Sequence, residues 1–321
     1  MKYILFLINS SYKDSVYGDI YKDEDVLLYK ELKNPVLNKI RNIHLSIKAN
    51  KYFNLPFKSI WNHTLFDESK LSPDEECIFI FNEGAKHSYN KKYLQYIKKK
   101  YKKSKVCFMC LNPSVGINSK YIDFINNEYD IVVSFDKRDS EKYGWKYYSG
   151  IYSNMSKENE KEDLRYDIFF VGNNKGRLNI LHFLYKKFTD YNLKCNFYIS
   201  EVNESMIRYR DINYNTYIDY NNVIENIKKS KVILEVLQEG QNGTTLREME
   251  ALVYEKGLLT NNQELVCERY YSKDQMYIFD DIENIDMDKV IELCNACSKY
   301  KYNGSVSPTL FLKFLNEQYY K

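Results

Sequence analysis

The segment Glu239–Asn262, EGQNGTTLREMEALVYEKGLLTNN, gathers the residues best suited to hold an anionic ligand. Gly240 and Gly243 let the backbone approach a ligand closely. Thr244, Thr245 and Leu246 then open a helix whose first N–H groups lack intrahelical partners and attract phosphate. The loop lacks the Gly-Lys-Ser/Thr ending of a P-loop, so an ATPase of that type is excluded at its defining residues. Thr245 and Glu248 have the T-x-x-E spacing of a capping box, which gives Glu248 a structural task. Glu250 differs. On a helical wheel it lies beside Leu246 and Val253, at the apolar side, where a carboxylate is costly unless paired. A ligand hydroxyl or a structural salt bridge would satisfy it.

A second constellation is Asp167–Arg177, DIFFVGNNKGR. An apolar strand runs into a turn holding Gly172, then Lys175 and Arg177, before the next helix. Two cations at one turn suit a diphosphate, Arg as a bidentate fork and Lys as a point charge. The alternative is a solvated helix start with ordinary surface charge. In the other half of the chain, FNEGAKHSY places Glu83 and His87 directly after an apolar run, and SFDKRD places Asp136 and Asp139 after another. A carboxylate or imidazole there is suited to take a proton from a hydroxyl nucleophile. Asp136 also stands where a helix N-cap belongs.

Such loops need strands behind them. Tyr3–Ile8, Cys77–Phe81, Val106–Leu111 and Ile131–Phe135 are short apolar runs of the kind buried on both faces of a parallel sheet. Tyr89–Tyr101 and Ser119–Asn127 read as helices between them. Asp23–Ile47 reads as partly helical and interrupted near Asn34-Pro35. The polar stretch Tyr152–Arg165, YSNMSKENEKEDLR, reads as an interdomain linker or a surface connection. After it the alternation restarts, with strands expected at Asp167–Val171, Lys194–Ser200, Val232–Leu237 and Gly257–Leu259. Helices are expected at Arg177–Tyr191, Asn221–Lys229 and Thr245–Tyr254, and a last one at Thr309–Tyr319. This alternation predicts parallel βαβ units, an α/β chain with two Rossmann-like domains. The expected divisions are 1–155, 156–305 and a terminal helix at 306–321. Ligands of open α/β sheets bind beyond the carboxyl ends of the strands, where the loops above fall.

Composition narrows the function classes. The 47 basic and 44 acidic side chains nearly cancel, which argues against a dedicated nucleic-acid binder. The seven cysteines have no framework spacing and fit a reducing compartment. Cys107 and Cys110 lie in the apolar run KVCFMCL, where a strand points them to opposite sides, so they cannot share a metal. The start, MKYILFLINSSYKD, has an apolar stretch too short for a signal peptide, and no run approaches the ~20 apolar residues that cross a bilayer. A cytoplasmic protein is expected. The lysine-rich stretch from Lys91 to Lys105 reads as a solvated helix face or as a dock for an anionic membrane.

Three of these segments resemble a known family. TLREMEALVYEKGLLTNN is similar to the donor-binding segment of GT-B glycosyltransferases, especially those of bacterial polysaccharide and lipopolysaccharide biosynthesis. DIFFVGNNKGR resembles the opening of their second domain, and LNPSVGINSKYIDFINNEYDIVVSFDKRDSEKYGWKYYSGIYS the end of their first. The resemblance covers most of the chain beyond Glu75 and is weak before it. It implies two domains facing each other across a donor cleft, a last helix crossing back to the first domain, and no cofactor or essential metal. It also implies hexosyl transfer from a nucleotide sugar to a saccharide or lipid-linked acceptor. Glu250 then matches the carboxylate that binds the donor's ribose. Thr244, Thr245 and Arg247 match the phosphate-facing helix start, and Lys175 and Arg177 the cationic pair beside Gly172. The family's paired glutamates stand closer in sequence than Glu239 and Glu250. Glu239 therefore departs from the family's sugar-contacting position, and Gln241 and Asn242 are expected to substitute for it by hydrogen bonding to sugar hydroxyls. Glu83, His87 and Asp136 are the candidates for the acceptor-side base. A non-catalytic nucleotide- or sugar-binding module of the same fold is the rival reading.

Overall fold

Short apolar runs become parallel strands in this chain because helices cover the faces of each sheet. The computed structural model describes residues 1–7, 11–46, 55–85, 88, 90–114, 118–154, 163–238, 243–296 and 299–321. They form two compact units, one of residues 1–149 with 308–321 and one of residues 150–307.

In the first unit the order is β1 Lys2–Phe6, α1 Lys13–Tyr17, β2 Val26–Leu28, α2 Pro35–His44, β3 Cys77–Asn82 and α3 Lys91–Lys100. Then come β4 Ser104–Cys110, α4 Ser119–Glu128, β5 Ile131–Ser134, α5 Lys137–Tyr143 and β6 Lys146–Tyr147. The sheet runs β2-β1-β3-β4-β5-β6 with every pairing parallel. In register, Phe79 lies between Ile4 and Val106. Phe6, Phe79, Phe81 and Phe108 fill the core, Phe6 stacked on Phe81 with centroids 4.7 Å apart.

In the second unit the order is β7 Tyr166–Asn173, α6 Leu178–Asp190, β8 Cys195–Ser200, β9 Asn213–Tyr214, α7 Tyr220–Lys228 and β10 Ser230–Glu235. α8 Leu246–Val253, β11 Gly257–Thr260, β12 Met276–Ile278 and α9 Met287–Ala296 follow. The sheet runs β12-β11-β10-β7-β8-β9, again wholly parallel. The last helix, α10 Pro308–Tyr319, belongs to the first unit, where Tyr148 packs on its Phe311 and Tyr3 donates to the Leu312 carbonyl. The chain is thus α/β with two Rossmann-like domains, as its alternating pattern implies.

Two expectations are corrected. Asn34-Pro35 starts a helix instead of interrupting one. The Asn34 side chain accepts from the N–H groups of Val36 and Leu37, and proline at the first turn loses nothing because its missing N–H had no partner there. The residues before it carry the short strand β2. The supposed linker likewise does not begin at Tyr152. That side chain is wholly buried and its N–H donates to the Val306 carbonyl at 2.8 Å, so the second unit starts before the polar stretch. Residues 155–162 lie outside the described set.

Cys107 and Cys110 are buried, and burial pushes both thiols above their ordinary range. Among the described residues no helix is long and apolar enough to cross a membrane.

Candidate functional site

In the second sheet the chain moves outward from β7 to β8 and β9, then returns to place β10 on the other side of β7. The carboxyl ends of β7 and β10 therefore flank a topological switch point, where the loops on either side diverge and leave a crevice. The described residues of both sequence constellations, 167–177 and 243–262, run through or follow these strand ends.

From β7 comes Arg177. Its guanidinium donates to the carbonyls of Asn173 and Val236, tying the two strand ends together, and lies over the Phe170 ring at 5.3 Å. Gly172 makes this possible: a Cβ there would stand 2.8 Å from Arg177 Nη2. Burial lowers the Arg177 pKa, with Arg247 adding to the effect and Glu235 opposing it. Lys175 is exposed, in the left-handed backbone region at φ 43°.

From β10 comes Glu235, which the sequence reading passed over. It is 3% exposed, and its carboxylate accepts from the Thr245 hydroxyl and from the Thr260 hydroxyl, the latter at 2.5 Å. Burial raises its pKa against those two bonds. Thr245 in turn caps α8, accepting from the Arg247 and Glu248 N–H groups at 3.1 and 3.5 Å. One buried carboxylate thus fixes the residue that opens α8. Gly243 is buried just before it.

The capping box forms only by half. Instead of returning to the cap, the Glu248 carboxylate accepts from Asn262 Nδ2 and from the Tyr270 hydroxyl, both at 2.7 Å. Thr244 Oγ1 lies 3.3 Å from the same phenol. Packing wins here because Glu248 faces the interior and is fully buried.

Glu250 is also fully buried. One oxygen accepts from the Tyr220 hydroxyl at 2.7 Å and the other pairs with Arg247 Nη1. The Tyr152 hydroxyl, 2.9 Å from that of Tyr220, extends the chain. In this arrangement Glu250 orients Arg247, and a ribose hydroxyl reaches it only by displacing one of the two partners. Glu239, Gln241 and Asn242 lie outside the described residues.

Sequence signals existed for some of what was missed. A glutamate inside the run VILEVL is costly to bury unless bonded, which marks Glu235. Tyr152, Tyr220, Asn262 and Tyr270 carried no such mark, because their partners are distant in sequence.

In the first unit, Glu83 follows β3 at that sheet's own switch point, between β1 and β3. It accepts from the N–H groups of Leu111 and Asn112 at 2.9 and 3.1 Å and from Asn112 Nδ2 at 2.7 Å. Burial raises its pKa, with those bonds opposing. Asp136 caps α5, accepting from Arg138 and Asp139, and Asp139 holds the Ser114 N–H and hydroxyl. His87 lies outside the described residues. The lysine-rich stretch is partly neutralised within its unit: Lys91 pairs with Glu128, Lys98 with Asp130 and Lys100 with Glu68. Among the described residues no group of three His, Cys, Asp or Glu side chains has metal-binding geometry.

No protein-family model matches the chain, and no curated protein matches it. Among solved structures it is similar to a DNA-modifying β-glucosyltransferase studied with and without uridine diphosphoglucose (14% identity, 99% of this chain and 93% of that one, TM-score 0.46). It is also similar to a UDP-N-acetylglucosamine 2-epimerase from Rickettsia bellii (12% identity, 100% and 98%, TM-score 0.45). A third likeness is to the spinosyn rhamnosyltransferase SpnG complexed with thymidine diphosphate (8% identity, 98% and 100%, TM-score 0.45).

Proposed function

We propose that the chain is a GT-B glycosyltransferase whose second unit binds a nucleoside-diphosphate sugar at the β7–β10 switch point. The observation that carries this reading is the convergence of Arg177, Arg247 and the capped start of α8 on one sheet edge, locked by the buried Glu235. The positive end of a helix and guanidinium groups in one place suit a diphosphate, whose negative charge grows as the sugar departs. Lys175 adds another cation for the leaving group, and the sequence resemblance implies a transfer that needs no metal. Gln241 and Asn242 keep their expected role toward sugar hydroxyls. Glu83 is the proposed base, since a carboxylate with a raised pKa takes up a proton more readily than an ordinary one. Hexosyl transfer to a saccharide or lipid-linked acceptor of a surface polysaccharide follows from the sequence resemblance.

One observation favours the rival, a binding module without turnover: Glu83, Asp136 and Asp139 are all engaged in holding loops. The test is release of nucleoside diphosphate from a panel of UDP-, GDP- and TDP-sugars with saccharide and lipid-linked acceptors. Arg247→Ala should slow release by roughly 100-fold, the usual effect of losing one charge-stabilising donor. Tight binding with no release on any acceptor supports the module, and no binding at all rejects both.

A further inference from the structure

Helix α2 is mounted with its apolar side outward. Val36, Leu37, Ile40 and Ile43 recur at helical spacing and are 65%, 48%, 48% and 55% exposed. Arg41, on the other side, is fully buried. Its guanidinium donates to the carbonyls of Lys30 and Thr64, each at 2.7 Å, and to Asn38 Oδ1 at 2.9 Å, and it lies over the Tyr29 ring. Rolling the stripe inward would expose those bonds, so the orientation is built in. Two more apolar side chains, Phe57 and Ile60, are 78% and 61% exposed. His44 ties their segment to the end of α2, with Nε2 2.6 Å from the Pro56 carbonyl and Nδ1 accepting from Trp61 at 2.9 Å.

Charge around this face is one-sided. The described residues between Val26 and Phe66 include five Lys or Arg and a single acid, Glu31, which stands 3.5 Å from the buried Arg41. Lys33 and Lys39 are exposed beside the stripe. Lys58, next to Phe57, has its pKa lowered by burial and by the nearby charge of Lys92.

We propose that this face docks on an anionic lipid surface, the aliphatic side chains entering the headgroup boundary and the lysines meeting the headgroups. An apolar stripe rimmed by lysines is the pattern of an interfacial helix. A nucleic acid would reward the lysines but leave the aliphatic residues without a partner. A second copy of the chain, paired face to face, would set like charge against like. The proposal is independent of the nucleotide reading, because the surface belongs to the first unit and the donor loops to the second.

The test is co-sedimentation of the full chain with vesicles of phosphatidylcholine alone or mixed with phosphatidylglycerol. The expected result is binding to the anionic vesicles only, with Ile40→Asp/Ile43→Asp about tenfold weaker or worse. Lys33→Ala/Lys39→Ala should weaken it partly and make it less salt-dependent. Melting temperature and nucleotide-sugar binding of both variants should match the parent chain. The proposal is overturned if the parent chain ignores anionic vesicles, or if the aspartate variant binds them equally well. A dimer in size-exclusion chromatography that the aspartate variant dissociates, or binding of duplex DNA in preference to vesicles, overturns it too.

Discussion

Glu248 has both carboxylate oxygens bonded, to Asn262 and Tyr270, yet burial and the nearby charge of Glu235 still raise its pKa well above the ordinary carboxylate range. The folded chain therefore keeps a proton that the unfolded chain releases. Stability from this group is fully present below the unfolded carboxylate pKa and is lost as pH rises through the folded one. Melting temperatures between about pH 5 and about pH 8 should fall with rising pH, and Glu248→Gln should flatten that slope. A slope unchanged by the substitution would remove the assignment. At this scale the sequence was informative where a charged residue interrupted an apolar pattern, as at Glu250. It was silent where a phenol or amide completes the bond, because Tyr220 and Tyr270 look like ordinary surface or core residues until the fold brings them in. Glu250 shows both sides: its need for a partner was legible on the helical wheel, and the identity of the partners was not.

The N-terminus of α8 concentrates several dependencies in one side chain. Thr245→Ala removes the cap, worth about 1 kcal/mol. It also strips one donor from the buried Glu235, worth about 1–3 kcal/mol more. Thr245→Ser should restore most of both, while Thr245→Val should behave as alanine. Urea unfolding distinguishes these outcomes, and a valine variant as stable as the parent would show that the Glu235 contact contributes nothing. The longer periodic elements of both units were readable, since α3, α6, β3 and β10 each have one dominant period or an apolar run. The short ones were not. β6, β9 and β12 hold two or three residues each, too few to show alternation, and they exist because a neighbouring strand offers an edge. Asn34-Pro35 was read as a break because the residue before proline avoids helix. The same two residues serve equally as cap and first turn, and only the strand preceding them decides between the two.

At the scale of the molecule, α10 completes the first unit from a distant part of the chain. Phe311, Leu312 and Leu315 are buried in the first unit, and each such side chain contributes about 1.5–3 kcal/mol. Against a net stability of about 5–15 kcal/mol for a domain, removing residues 308–321 should unfold the first unit and leave the second intact. Calorimetry should show one transition lost or shifted far down and one unchanged. The alternating pattern made two Rossmann-like halves legible. It did not show that the second begins at Gly150, because Ile151 and Tyr152 precede the charged stretch and their burial depends on the Val306 carbonyl far along the chain.

The order of synthesis then runs against the order of completion. A ribosome finishes every residue of the second unit before it makes the final helix on which the first depends, although nascent domains ordinarily mature from the N-terminus onward. The earlier-made unit must wait, with the places for Phe311, Leu312 and Leu315 uncovered, until residues 308–321 leave the exit tunnel. Protease protection of stalled nascent chains should appear in residues 150–307 before residues 1–149, and chaperones should hold residues 1–149 until residues 308–321 emerge.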